Sequence, residues 1–356
     1  MDGVVEVETK AVDMPAEGLL TDLLREVSRS FYLTLWVLPA AVRTPISLAY
    51  LLARATDTVT DASGLPVEER LGTLESLGSW IRGDAVNRPD FSRFLGSDAG
   101  ITEAEGRLLA RLPSAVQLLD LCDAFEQERI REVLAVIVSG QVLDLRRFGT
   151  LEPGTVRALA TASELDDYTY RVAGCVGEFW TRLCRKSVFP GAQLDDAKLL
   201  EDGVRFGKGL QLVNILRDLP RDLQAGRCYL PASELAEVGL EPRDLLEAAR
   251  SEALRPVYRR WLDLAENHLE SGWRYTTSVP RSCVRVRLAC AWPVLIGIRT
   301  TGLLREGPVL EPGHRIKLDR GAVRGILWSS VWRLPFRGLW EAQFTGQRRA
   351  MRSRMP

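Results

Sequence analysis

Apolar residues recur at three- and four-residue spacing along almost the whole chain, and strict alternation of apolar and polar residues is scarce. The first pattern marks amphipathic helices and the second half-buried strands, so the spacing predicts an all-α protein. It runs from Leu19 to Tyr50 and on to Val59, broken at Pro39 and Pro45. It returns in Val67–Ile81, Glu103–Leu121, Phe125–Leu145, Thr155–Leu183, Ala197–Leu219, Asp244–Ser271 and Val284–Leu304. Turn chemistry separates the segments, as at Asp61-Ala62-Ser63-Gly64, Asn87-Arg88-Pro89-Asp90 and Glu311-Pro312-Gly313, and none of these breaks is long enough for an interdomain linker. No repeat with a period of about 20 to 50 residues is found, against a helical solenoid. The expectation is one large helical domain over residues 19–305 around a central space, with an arm at 1–18 and a C-terminal extension at 306–356.

Composition narrows the function. The 47 basic and 47 acidic side chains exclude a broadly basic nucleic-acid coat, and 46% hydrophobic residues exclude a disordered chain. The six cysteines form no Cys-x-x-Cys pair, and His268 and His314 are far apart, so any catalytic metal is expected on carboxylates. Met1–Lys10 lacks the apolar stretch of a signal peptide. The longest apolar run, Leu288–Ile298, contains Pro293 and falls short of the ~20 residues of a spanning helix. A cytoplasmic location is expected.

Two carboxylate pairs stand out. Asp57 and Asp61 are four apart, which on a helix stacks them on one face about 5–6 Å from each other, and Asp218 and Asp222 repeat the spacing. The apolar run-in Leu48–Leu52 points the first pair towards a cavity rather than solvent. Mg²⁺ prefers one or two protein carboxylates plus waters and phosphate oxygens, so two facing pairs are suited to clamping a diphosphate. Arg54, Arg217, Arg221 and Arg227 lie beside them, either binding phosphate or neutralising the aspartates. No Gly-rich phosphate loop is present. Pro220 inside the second pair predicts a kink, with Asp222 beyond it.

Residues 320–356 hold eight arginines against one acid, Glu341, with Trp328, Trp332 and Trp340 interspersed. Two readings stay open: a tail resting on an anionic bilayer, which places the protein peripherally at the cytoplasmic membrane face, or a partly disordered basic tail. A non-catalytic helical scaffold whose basic tail binds anionic partners is the reading from another class.

Four segments in order resemble the head-to-head prenyltransferases, the squalene and phytoene synthases. They are Ser28-Arg29-Ser30-Phe31; Tyr50 to Asp61 around Arg54-Ala55-Thr56-Asp57; Tyr168 to Gly177; and Gly209-Leu210-Gln211 through Asn214, Arg217, Asp218 and Asp222 to Gly226-Arg227-Cys228-Tyr229-Leu230-Pro231. In the third segment Arg171 stands where the family carries a second tyrosine, and Tyr170 is one place early. Ala173, Gly174 and Gly177 there allow either close helix packing or room for a prenyl chain.

The resemblance implies an isoprenoid synthase fold whose apolar cavity carries both aspartate pairs at its mouth. Two farnesyl diphosphates would condense through presqualene diphosphate, with Mg²⁺ on Asp57, Asp61, Asp218 and Asp222 and with Tyr168 handling a proton. Ser28, Arg29, Ser30, Phe31, Tyr50, Arg54, Gln211, Arg217 and Arg227 would contact substrate. The segment His314 to Gly321 is similar to one in squalene synthases, which implies NADPH held by Asn214, Arg217, Lys317 and Arg320, and squalene as product. The ending Gly226 to Pro231 is nearer the phytoene type, whose members, like dehydrosqualene synthases, use no reductant. A monomer without a nucleic-acid partner is expected.

Overall fold

The computed structural model describes residues 18–28, 31–85, 87–149, 151, 154–313 and 316–352. A π turn at Leu19–Leu23 leads into α1 (Leu24–Ser28), α2 (Tyr32–Val37), α3 (Ala40–Asp61) and α4 (Val67–Arg82). Then come α5 (Glu103–Ala110), α6 (Leu112–Asp120), α7 (Ala124–Phe148), the short β1 (Arg157–Ala158), α8 (Ala162–Thr169), a π segment at Tyr170–Gly174, α9 (Cys175–Ser187) and α10 (Asp196–Gln224). β2 (Arg227–Cys228) pairs parallel with β1 and is followed by α11 (Ala232–Ala236), α12 (Ser251–Ser278), α13 (Val284–Glu306), α14 (Arg320–Arg333) and α15 (Arg337–Arg352).

Local chemistry sets the helix starts. Thr102 with Glu105 and Asp123 with Glu126 form capping boxes on α5 and α7, while Thr161, Asp195 and Asp319 cap α8, α10 and α14. Three segments read as continuous helix are divided; in Asp244–Ser271, 3₁₀ turns at Pro242–Leu246 and Ala248–Arg250 precede α12. Arg111, just before Pro113, separates α5 from α6. The stretch from Thr155 opens with β1, and its helix is widened by the π segment.

The core is arranged around α10, which packs along α12 and against α9, the π segment and α13, while α3 and α7 close the opposite side. The α9–α10 crossing is very close: a Cβ on Gly177 would lie 1.9 Å from the Gly203 carbonyl oxygen, and one on Gly207 2.2 Å from that of Ala173. Gly177 and Ala173 thus serve close packing, and both also line a cavity described below.

The kink expected at Pro220 does not remove Asp222 from the helix. α10 continues through Pro220 to Gln224, and Asp222 is buried. Proline leaves the Leu216 carbonyl without its helical donor. The buried Tyr258 hydroxyl donates to that carbonyl at 2.9 Å. Tyr258→Phe is therefore expected to lower stability by about 1–3 kcal/mol, because a buried acceptor loses its partner. The loss should shrink when Pro220→Ala restores a backbone donor, a coupling that a double-mutant cycle in urea measures.

Through residue 352 the Arg- and Trp-rich tail forms two helices, α14 and α15, packed on α12 and α13. Trp340 is buried against Trp273, with ring centroids 5.5 Å apart, and Arg348 pairs with Glu270 at 2.9 Å. Trp328 and Trp332 face outward. Among the described residues no helix is long and apolar enough to cross a membrane.

Candidate active site

Helices α3, α7, α8 and α10 bring both aspartate pairs to one polar cavity of about 290 Å³. Asp57 and Asp61 come from the end of α3, Asp218 and Asp222 from the end of α10; Asp144 of α7 and Arg227 of β2 complete the ring. Asp57 is held on two sides: Gln141 Nε2 donates to Oδ1 at 2.7 Å and Arg54 Nη1 to Oδ2 at 2.9 Å. Arg217 makes a two-pronged contact with its neighbour Asp218, at 3.0 and 2.7 Å. Arg227 stands 3.6 Å from Asp222 and 3.8 Å from Asp144.

A second, more apolar chamber of about 430 Å³ adjoins the first, and Asp57, Gln211 and Asn214 belong to both linings. Phe31, Tyr50, Trp180, Phe206 and Leu210 contribute to its wall. Phe31 stacks on Tyr50 with centroids 5.3 Å apart.

Tyr168 lies over the polar cavity, stacked on Tyr229 at 4.8 Å. The two hydroxyls are 3.4 Å apart, and Tyr229 donates to Asp144 at 2.8 Å. Burial pushes both phenols well above their usual range, so they stay neutral. Burial also raises Asp57 and Asp222, and brings Asp144 to about 6 against the opposing pull of Arg227.

Five carboxylates thus line the polar cavity against two arginines, Arg221 and Arg227. An all-oxygen donor set with surplus negative charge fits a hard divalent cation. Among the described residues no three His, Cys, Asp or Glu side chains converge on one point. A cation there would complete its shell with waters and phosphate oxygens, as Mg²⁺ does.

Asp144 makes a testable statement about pH. Its folded pKa of about 6 lies above the ordinary carboxylate value, so the folded state binds the extra proton between roughly pH 4 and 6. Stability is present below that window and falls as pH rises through it, by about 3 kcal/mol from this group. Urea unfolding of metal-free protein at pH 4.5 and 7.5 should therefore show a smaller pH-dependent loss for Asp144→Asn than for wild type.

The expected residues are not all gathered. Arg29 and Ser30 lie outside the described residues. Ser28 is buried at the end of α1, where its hydroxyl donates to the Leu24 carbonyl, and it neither caps a helix start nor lines either cavity. Arg217 faces Asp218 rather than open cavity. Lys317 and Arg320, expected beside Asn214 and Arg217, are exposed and line neither cavity. Arg171 bonds Asp167 at 2.8 Å and the Ser139 hydroxyl at 2.9 Å, tying the π segment to α7.

Gln141, Asp144 and Tyr229 were missed as site residues. A signal existed for the first two: Ile137, Gln141, Asp144 and Phe148 follow one helical stripe, so two polar residues occupy core positions of α7.

A helical bundle enclosing an apolar chamber beneath a carboxylate-lined mouth is the architecture of the isoprenoid synthases. The chain belongs to the squalene/phytoene synthase family, whose description matches residues 24–322 and whose members are head-to-head prenyltransferases acting on prenyl diphosphates. It is 32% identical over 252 residues to a bifunctional lycopene cyclase/phytoene synthase of Colletotrichum graminicola, covering 69% of this chain but only 39% of that one. It is 28% identical over 275 residues to a 15-cis-phytoene synthase of Synechocystis, covering 76% and 69%. The fold is similar to that of TcSQS in complex with E5700, with a TM-score of 0.72 at 22% identity over 95% of this chain and 98% of that one.

Proposed function

We propose that this chain condenses two molecules of a prenyl diphosphate head to head, losing one diphosphate and one proton to form a cyclopropylcarbinyl diphosphate, and that departure of the second diphosphate and loss of a second proton then yield a phytoene- or dehydrosqualene-type hydrocarbon. The observation that carries the condensation is the shared lining: Asp57, Gln211 and Asn214 join a carboxylate-rich mouth to an apolar chamber. Such a joint holds a diphosphate at one end and its chain at the other.

Mg²⁺ held by Asp57, Asp61, Asp218 and Asp222 together with diphosphate oxygens would supply Lewis-acid stabilisation of the leaving group. Arg221 and Arg227 add fixed positive charge at the same mouth. As the allylic C1–O bond breaks, the second molecule's double bond attacks the cation, and the apolar wall keeps water from capturing it first. The faces of Trp180 and Phe206 offer negative π density to that charge. Neutral Tyr168 accepts the departing proton as its own hydrogen passes to Tyr229 and on to Asp144, along the observed row of hydroxyl and carboxylate.

Two observations support an ending without reductant: Lys317 and Arg320 lie away from both cavities, and the relatives named above are phytoene synthases. The second reading, NADPH-dependent reduction to squalene, draws on the likeness of the segment ending Ile316-Lys317-Leu318-Asp319-Arg320-Gly321 to squalene synthases. Purified protein incubated with farnesyl or geranylgeranyl diphosphate and Mg²⁺, with and without NADPH, tests both. Condensed polyenes in the absence of NADPH support the first ending, and squalene formed only with NADPH replaces it with the second. No condensed product from either substrate rejects the condensation.

A further inference from the structure

The first observation is a guanidinium out of place. Arg287, at the start of α13, is 95% buried; Glu341 attracts it, but the two form no ion pair within 4 Å. It donates to the Val279 carbonyl at 3.2 Å and lies over the Trp340 ring, while its Nε has no partner. A buried cation without an anion is unfavourable. Arg287 borders a surface cavity of about 410 Å³ whose other walls are Arg281, Ser282, Leu334 and Pro335, a chamber that adds a second cation and a hydroxyl.

The second observation is what surrounds that cavity. Arg281 donates to the Pro335 carbonyl at 3.2 Å and Arg285 to that of Val37 at 2.8 Å, which ties the α14–α15 turn and the end of α2 to the start of α13. These three segments carry Leu33, Trp36, Val284, Trp332, Phe336 and Leu339, all large, apolar and exposed. Exposed apolar groups gathered at one end of a fold mark an interaction surface. The charge around them is mainly positive: residues 279–305 contain no acid, and residues 320–341 contain four arginines against one acid, Glu341, which pairs with Arg337 at 2.9 Å.

We infer that this end of the molecule docks on an anionic lipid bilayer, with the aromatic residues of the α14–α15 turn entering the interface and Arg281 and Arg287 receiving a lipid phosphate. Tryptophan is at home at the membrane interface, and arginine forks match phosphate oxygens. The contact is superficial, since no described helix can span a bilayer. If the proposed function holds, the placement also serves it: α2 turns Phe31 and Thr34 towards the apolar chamber and Leu33 and Trp36 outward, so one short helix separates a hydrocarbon product from lipid.

Flotation of the purified full chain with vesicles of phosphatidylcholine alone or with one-third phosphatidylglycerol tests this without substrate, so an inactive enzyme leaves the result readable and failed flotation leaves the condensation untouched. The wild type should float with the anionic vesicles and much less with the neutral ones. Arg281→Glu should weaken partitioning by about thirtyfold, as two units of charge change at the surface. Trp332→Ala with Phe336→Ala should weaken it by about tenfold or more, with an unchanged circular dichroism spectrum. Leu121→Ala, exposed on α6's far end, should float like wild type. Absent flotation, equal flotation with neutral vesicles, or variants that float like wild type overturn the proposal. So does light scattering that shows a dimer broken by the aromatic variants, which would assign the face to a second copy of the chain.

Discussion

Asp57→Asn and Asp218→Asn should each lower the turnover of a prenyl diphosphate by about 10²–10³-fold, and the double variant should fall little further. Asparagine keeps the shape of each side chain and one acceptor, for Gln141 or one prong of Arg217; what is removed is charge and the second acceptor, which faces Arg54 or the other prong. In the proposed mechanism that charge holds a divalent cation and the departing diphosphate at the mouth, with the four aspartates acting together, so removing one member should disable the set. Folding is not expected to suffer in step: burial raises the Asp57 pKa, which means that its charged form already strains the folded state, and neutralising it relieves that strain. Urea unfolding at pH 7 should find Asp57→Asn within about 1 kcal/mol of wild type, the relief of charge burial offsetting the lost Arg54 hydrogen bond. Product formation followed with radiolabelled substrate at saturating Mg²⁺ separates the outcomes. Turnover within threefold of wild type in both single variants would remove the carboxylate clamp from the mechanism and leave the scaffold reading standing.

Much of this site could be read in the chain because its chemistry is local. A four-residue spacing on a helix places two carboxylates side by side whatever the rest of the fold does, so both pairs were visible, and the structure brings both to one cavity. Beyond its place on the buried stripe of α7, Asp144 had a role hidden for the opposite reason. It owes its place to Tyr229, 85 residues away, and nothing in the sequence around either residue encodes that meeting. The helices themselves followed from apolar periodicity, whereas the π segment at Tyr170–Gly174 did not, since an extra residue in a turn leaves the average spacing almost unchanged.

Pro220 shows where a sound local rule yields to tertiary structure. Proline does remove a helix hydrogen bond, but a buried tyrosine from α12 supplies a donor for the carbonyl left behind, and the helix runs on. The tail makes the same point on a larger scale. Its composition reads as uniformly basic and aromatic, yet packing divides the tryptophans: Trp340 enters the core beside Trp273, while Trp328 and Trp332 stay outside. Composition counts side chains; only the helical phase of α14 and α15 against α13 decides which of them face solvent.

The largest stability effect is expected from one methyl group. Gly177→Ala should lower unfolding free energy by about 3 kcal/mol or more, because the new Cβ would lie 1.9 Å from the Gly203 carbonyl oxygen and 3.0 Å from the Val204 nitrogen. Both atoms are backbone, so no flexible side chain can move aside; α9 and α10 must separate. α10 has little room to retreat, since a Cβ on its Gly209 would already come within 2.9 Å of the His268 side chain on α12. Gly207→Ala, 2.2 Å from the Ala173 carbonyl oxygen, should behave in the same way. Gly72→Ala is the control: it sits inside α4 with nothing within 4 Å of its Cβ, and should gain about 0.5–1 kcal/mol from helix propensity alone. Denaturant midpoints of the three variants place them on one scale. Because Gly177, Gly203 and Gly207 also line the apolar chamber, any folded fraction of the first two variants should hold a misshapen cavity and show activity lower than its folded population explains. Wild-type stability in Gly177→Ala would mean that α9 and α10 do not touch there, and that the chamber wall is made by other residues.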